Sequence, residues 1–91
     1  MYTVYTKPGC SFCDKVKVLL QGVNPEPIWV DCSDYLKTEA SKQLFLQFIQ
    51  DTAQLREPYK TFPMVFRDGR FIGGYTEALA LRKAFTTQQP F

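Results

Sequence analysis

The spacing of apolar and polar positions changes along the chain, and each change marks an element. Tyr2-Thr3-Val4-Tyr5-Thr6 is rich in β-branched and aromatic residues and predicts a strand. Pro8-Gly9 ends it. From Ser11 to Gln21, Phe12, Val16, Leu19 and Leu20 recur at i, i+4, i+7 and i+8, which is one face of a helix. Gly22 offers a left-handed stop, and Pro25 and Pro27 forbid continuation. Ile28-Trp29-Val30-Asp31-Cys32 predicts a second strand, short and apolar enough to be interior. A second helix is expected over about residues 35–55, with Ala40, Leu44, Phe48 and Ala53 as its stripe and Phe45 and Ile49 beside them. Ser33, Asp34 and Thr38 all qualify as its N-cap. Met64-Val65-Phe66, Arg67-Asp68-Gly69-Arg70 and Phe71-Ile72 predict a β-hairpin around an Asp-Gly turn. Thr76 can cap a last helix that runs to about Phe85 and carries Ala78, Leu79, Leu81 and Arg82. Gln88 to Phe91 is expected to fray.

The resulting order is β-α-β-α-β-β-α. The first half reads as a right-handed βαβ unit with parallel strands. The hairpin adds antiparallel strands, and helices then cover both faces of a four-stranded mixed sheet. The 91 residues suit one domain, 1–91. Apolar residues make up 45% and charged residues 22%, an ordinary globular balance that excludes a disordered or collagen-like chain. No apolar run approaches the ~18–20 residues of a membrane span. The first residues lack a basic segment followed by an apolar stretch, so no signal peptide is expected. Eleven basic against nine acidic residues give +2, too small and too scattered to suggest nucleic-acid binding.

The absence of His and the count of three Cys narrow the chemistry. Without His there is no Ser-His or Cys-His nucleophile pair and no common catalytic zinc set. An odd number of Cys does not fit a disulfide-stapled secreted scaffold. A reducing, cytoplasmic setting fits better.

Cys10-Ser11-Phe12-Cys13 follows a strand and opens a helix inside the βαβ unit, the context of a thiol redox site. Three residues apart at a helix start, the two sulfurs share one side and can bridge. Cys10 falls near the N-cap, where orphan N–H groups and the helix dipole favour an anion. Such settings lower a thiol pKa from ~8.5 to about 3.5–7.5, and the thiolate is the nucleophile. Lys7 adds a positive charge three residues upstream. Cys13 lies one turn inside the helix, away from the terminal N–H groups. Cys10 is therefore assigned as attacking and Cys13 as resolving. The competing readings are a pair of structural core cysteines and half of a zinc site. Zinc would need four ligands where the chain has one further Cys, so no metal site is assigned. Cys32, at the end of an apolar strand, reads first as a buried small side chain and second as a regulatory or glutathionylated thiol.

With these residues the chain resembles the glutaredoxins. The resemblance rests on Lys-Pro-Gly-Cys-Ser-Phe-Cys at 7–13, on Thr61-Phe62-Pro63, and on Ile72-Gly73-Gly74-Tyr75-Thr76-Glu77, three motifs in the family's order and spacing. It implies a thioredoxin fold and glutathione as co-substrate. It implies that Pro63 is cis and faces the nucleophile, with Phe62 offering its backbone to the substrate's cysteinyl part. The family commonly has Val at that position. Thr76 would take the γ-glutamyl carboxylate at a helix N-terminus. Glu77, where the family often has Asp, would meet the ammonium. Lys7 would face the glycine carboxylate. Phe12 stands where Tyr is usual, so the ring is kept and the hydroxyl lost, and Tyr75 would wall the groove. Gly74 is among the matched positions; on the residues alone, Gly73 and Gly74 provide turn geometry or close backbone approach. On the residues alone, Thr76 and Glu77 are also good cap and first-turn residues. Arg56 and Lys60 read as solvated charges or as extra carboxylate contacts. Ser11 stands where the commonest dithiol form has Pro, and keeps an N–H that Pro would remove.

The resemblance thus implies an enzyme, a monomeric glutathione-disulfide oxidoreductase. Its substrates would be disulfide-bonded or glutathionylated proteins, ribonucleotide reductase among the candidates. Glutathione reductase and NADPH would complete the cycle. Two alternatives stand beside it. Some family members with Ser after the first Cys bind a [2Fe–2S] cluster between two subunits, which would make this a carrier or sensor. A thioredoxin-like reductant would share the fold, but thioredoxins carry Trp before the first Cys and Gly-Pro between the pair. Here those positions hold Gly9 and Ser11-Phe12.

Overall fold

In the computed structural model, which describes residues 1–87, the order of elements is the expected one. It runs β1 (Tyr2–Thr6), α1 (Ser11–Leu19), β2 (Ile28–Asp31), α2 (Glu39–Ala53), β3 (Met64–Arg67), β4 (Arg70–Gly73) and α3 (Tyr75–Thr87). The strands form one sheet in the order β2-β1-β3-β4. β1 and β2 are parallel, while β1–β3 and β3–β4 are antiparallel. The expectations for the Phe85 side chain and for residues 88–91 lie outside the described residues.

Alternation along β1 divides the core in two. Tyr2 and Val4 face α1 and α3, packing with Val16, Leu20, Val65 and Ala78. Tyr5 faces the opposite way and packs against a second cluster of Cys32, Phe45, Leu46, Ile49, Met64 and Phe66 under α2. Period-2 side chains on a central strand require this division, because successive Cβ atoms leave opposite faces. Burying each large apolar side chain stabilises the fold by roughly 1.5–3 kcal/mol.

Four expectations are corrected. β2 is an edge strand, bonded to β1 alone, and Ile28 is half-exposed. Its short apolar run resembles an interior strand, yet the parallel crossover places it outside β1. Pro27 at its start and Asp31 at its end suit an edge. In α1 the buried residues are Cys13 and Val16, while Phe12 is 49% exposed. In α2 the buried face is Phe45, Leu46 and Ile49; Leu44 is 74% and Phe48 51% exposed, and Ala40 is exposed too. The apolar residues of α2 wrap more than one face, so spacing alone admits two stripes, and the sheet selects one. α3 begins at Tyr75, and Thr76 is its second residue rather than its cap.

The ends of the elements have local causes. Thr38 caps α2: its hydroxyl accepts the Ser41 N–H at 3.1 Å and Ser41 reaches back to the Thr38 N–H, a reciprocal capping box. Gln54, left-handed at φ 58°, ends that helix. The hairpin turn places Asp68 and Gly69 at φ 51° and 80°, the two positive values that a tight two-residue connection of twisted strands requires.

Candidate active site

The turn from β1 into α1 sets the dithiol. Cys10 is the N-cap, in extended conformation, and its sulfur accepts the Cys13 N–H at 3.1 Å. The helix thus begins on a sulfur where Ser or Asp would ordinarily stand. Cys10 and Cys13 form a disulfide with their Cα atoms 5.2 Å apart. The two sulfurs are not equivalent. Cys10 keeps 8% exposure and Cys13 only 1%. An N-terminal N–H aimed at Cys10 stabilises negative charge there and not on Cys13.

The second segment closes over Cys10 from β3. The Phe62–Pro63 peptide is cis, as the resemblance implies, and the Phe62 carbonyl oxygen lies 3.6 Å from Cys10 Sγ. Pro63 is fully buried immediately before the strand. The Phe62 ring stacks on Phe45, centroids 6.2 Å apart and planes 7° off parallel. Lys7 Nζ stands 5.4 Å from the centre of the same ring.

The third segment is the start of α3. The Gly74 carbonyl accepts the Ala78 N–H at 3.0 Å, so Gly74 is the cap residue. Glu77 Oε1 accepts the Gly74 N–H at 2.8 Å. This is half of a capping box, with Gly in the place of Ser or Thr. One oxygen of the carboxylate expected to meet an ammonium therefore also holds the helix end. Thr76 sits in the first turn, where backbone N–H groups lack intrahelical partners, and its side chain is exposed. A Cβ on Gly74 would come within 3.0 Å of the Tyr59 side-chain Oη, while the nearest backbone atom, the Pro63 carbonyl oxygen, would stand at 3.6 Å.

Phe12 and Tyr75 meet across the site with ring centroids 6.0 Å apart. The exposure of Phe12, which the apolar spacing of α1 did not foresee, is what allows this. Contacts thus join Cys10 and Lys7 to Phe62, Phe12 to Tyr75, and Gly74 to Glu77; Pro63 follows Phe62, and Thr76 follows Tyr75 in the first turn of α3. Thr61 is exposed beside Phe62, and Arg56 and Lys60 are exposed as well. Two residues escaped the sequence analysis. Tyr59 packs edge-on against Phe71 at 4.8 Å and approaches Gly74. Lys15 lies 4.8 Å from the centre of the Phe12 ring and 5.9 Å from that of Tyr75. Its position three residues after Phe12 on a helix was the available signal.

Among the described residues, no group of three or more His, Cys, Asp or Glu side chains could hold a metal ion. A cluster would have to draw its remaining ligands from outside the chain, so the iron–sulfur alternative gains no support from these residues.

Cys32 has the opposite environment from Cys10. It is fully buried, and its thiol points to the Val30 carbonyl at 3.7 Å. Burial first, then the charge of Asp31, pushes the thiol up to about 11. Tyr5 beside it is also pushed up, by burial first and then by Cys32 and Tyr35. This is a structural thiol, and two results are expected. Iodoacetamide at neutral pH should leave Cys32 unmodified in the native protein and label it after urea unfolding, as read by mass spectrometry. Because its folded pKa is raised, its contribution to stability is complete below the unfolded value near 9 and lost as pH climbs through about 11. The urea midpoint should fall over that window, and less steeply in Cys32→Ala. Native-state labelling at neutral pH would refute the assignment.

Fold and site together define a thioredoxin-fold protein with a dithiol at the start of its first helix. The glutaredoxin family model matches residues 2–72, and the chain belongs to the glutaredoxin family. It is 33% identical over 78 residues to the chloroplastic monothiol glutaredoxin-S12 of Arabidopsis thaliana. That match covers 86% of this chain but 40% of the relative's length. That relative is named as a monothiol protein, whereas this chain carries both Cys10 and Cys13. Glutaredoxin 1 from Francisella tularensis superposes with TM-score 0.72 at 23% identity, covering 96% of each chain. A buckwheat glutaredoxin–glutathione complex superposes with TM-score 0.68 at 20% identity, covering 92% of this chain and 69% of that one. Oxidized glutaredoxin 2 from Chlamydomonas reinhardtii does so with TM-score 0.64 at 27% identity, covering 93% and 73%.

Proposed function

We propose that this protein is a glutathione-dependent thiol-disulfide oxidoreductase that reduces glutathione mixed disulfides and protein disulfides. The observation that carries the proposal is the asymmetry of the dithiol. Cys10 is the less buried member, at 8% exposure against 1% for Cys13; it receives the Cys13 N–H at 3.1 Å and faces the Phe62 carbonyl at 3.6 Å. Family membership and the glutathione complex of the buckwheat relative support glutathione as the co-substrate.

In the proposed cycle the Cys10 thiolate attacks the glutathione sulfur of R–S–S–G. The R thiolate leaves and takes a proton, and Cys10 is left bonded to glutathione. A second glutathione, as its thiolate, attacks that bond. Oxidised glutathione departs and the Cys10 thiolate is restored. With a protein disulfide, Cys10 forms a mixed disulfide with the substrate. Cys13 then attacks Cys10, releases the substrate thiol and closes the disulfide present here, which two glutathiones reopen. Lys7 and the first-turn N–H groups of α3 supply positive potential for the carboxylates of a tripeptide anion. A reducing compartment such as the cytoplasm would keep the glutathione pool able to drive both reactions.

The test is turnover of a small glutathione mixed disulfide, with glutathione reductase and NADPH reporting the oxidised glutathione formed. Turnover is expected to depend on glutathione concentration. A purified protein that turns over protein disulfides only with a flavoenzyme reductant, and ignores glutathione, would refute the proposal.

A further inference from the structure

Phe62 contributes to the site through both its backbone and its ring. Its carbonyl oxygen stands 3.6 Å from Cys10 Sγ. Its ring lies almost parallel to Phe45 at 6.2 Å, and Phe45 lies almost parallel to Tyr35 at 5.3 Å. Phe45 is part of the buried core, so this stack is anchored on α2 and the sheet. Lys7 Nζ is 5.4 Å from the centre of the Phe62 ring. Lys7 is exposed, and it takes part in neither of the two ion pairs among the described residues. A lysine side chain has four rotatable carbons and a strongly hydrated head, and in open water it samples many rotamers. A ring face within about 6 Å attracts the ammonium and narrows that range.

We propose that the Phe62 ring is a positioning element for Lys7. Lys7 stands three residues before Cys10, and the Phe62 carbonyl lies 3.6 Å from that sulfur, so an ammonium kept on the Phe62 ring lets reactants carrying negative charge reach the sulfur faster than neutral ones. The ring discriminates by charge without touching the reacting atoms. The inference rests on Cys10 as nucleophile, but not on glutathione as co-substrate.

The experiment compares two alkylating agents on the fully reduced protein. Iodoacetate and iodoacetamide transfer similar groups and expel the same iodide, and they differ in charge. The ratio of their rates at Cys10, located by mass spectrometry, reads the positive potential at the sulfur and cancels changes in general thiol reactivity. Phe62→Leu is expected to lower the iodoacetate-to-iodoacetamide ratio about two- to fivefold, the scale of an exposed cation–π contact. Lys7→Gln should lower it at least as far, and the double variant no further than Lys7→Gln alone. Phe62→Tyr keeps a ring and should keep the wild-type ratio. Phe62→Met, which also retains apolar contact with Phe45, serves as a second ring-free variant and should match Phe62→Leu. A wild-type ratio in both ring-free variants overturns the proposal, as does an unchanged ratio in Lys7→Gln or independent losses in the double variant. Alkylation needs no glutathione, so these failures are distinct from a failure of mixed-disulfide turnover. If Cys10 in the wild-type protein does not react with iodoacetamide, the nucleophile assignment falls and this proposal with it.

Discussion

Cys10→Ser is expected to abolish reduction of glutathione mixed disulfides and of protein disulfides alike, by more than about a thousandfold, the scale on which loss of a covalent nucleophile acts. A serine hydroxyl at the same N-cap would still receive the Cys13 N–H, so the fold should persist. It is not ionised at neutral pH and does not attack sulfur. Cys13→Ser should separate the two activities. A mixed disulfide needs only Cys10 and a second glutathione, and its turnover should stay within about threefold of wild type. A protein disulfide needs the resolving thiol, and its reduction should fall more than about tenfold. The burial of Cys13 at 1% exposure fits this division, because a resolving thiol meets Cys10 and not the solvent. Coupled turnover assays on both substrates check it. Loss of both activities in Cys13→Ser would reverse the assignment of roles.

The second large effect is expected at Gly73, far from either sulfur in sequence. Its φ is 131°, a region closed to ordinary side chains, and it sits at the end of β4 where the chain turns into α3. A Cβ there would meet Glu77 Oε1 at 2.7 Å, Cγ at 2.8 Å and Cβ at 3.0 Å. Gly73→Ala therefore combines backbone strain with displacement of the carboxylate that caps α3. The expected cost is about 2–4 kcal/mol in urea unfolding. Gly9→Ala and Gly22→Ala are the controls. Both glycines have positive φ, 69° and 79°, but nothing stands within 4 Å of an added Cβ, so each should cost only about 1 kcal/mol. In the folded fraction of Gly73→Ala, the start of α3 loses its anchored carboxylate, and the KM for glutathione should rise more than kcat falls. Equal stability of the three variants would show that the crowding at Glu77 is not felt.

Much of the fold was legible because its signals are local. The β-branched run of Tyr2–Thr6 forms β1, Asp68-Gly69 forms the hairpin turn, and Thr38 was among the three caps considered for α2. The Cys-Ser-Phe-Cys spacing after Pro8-Gly9 placed the dithiol at a helix start, with Cys10 at the N-cap. The errors lie where more than one local answer exists. α2 carries apolar residues around more than half its circumference, and only packing on Met64 and Phe66 selects Phe45, Leu46 and Ile49 as the buried face. Phe12 obeys the apolar spacing of α1 yet points to Tyr75, because α3 leaves a ring there for it to meet. Thr76 has the side chain of a cap, but Glu77 and Gly74 complete the cap between them two residues earlier.

The amino-acid sequence by itself determined the order of elements and the place of the dithiol at the start of the first helix, since both follow from neighbours within a helical turn or a hairpin. Only the tertiary structure decided that β2 lies at the edge, that Cys32 is sealed from solvent, and that the Phe62 ring meets both Lys7 and Phe45. Each of these depends on which segments, far apart along the chain, share a face of the sheet. No periodicity within one segment encodes that choice.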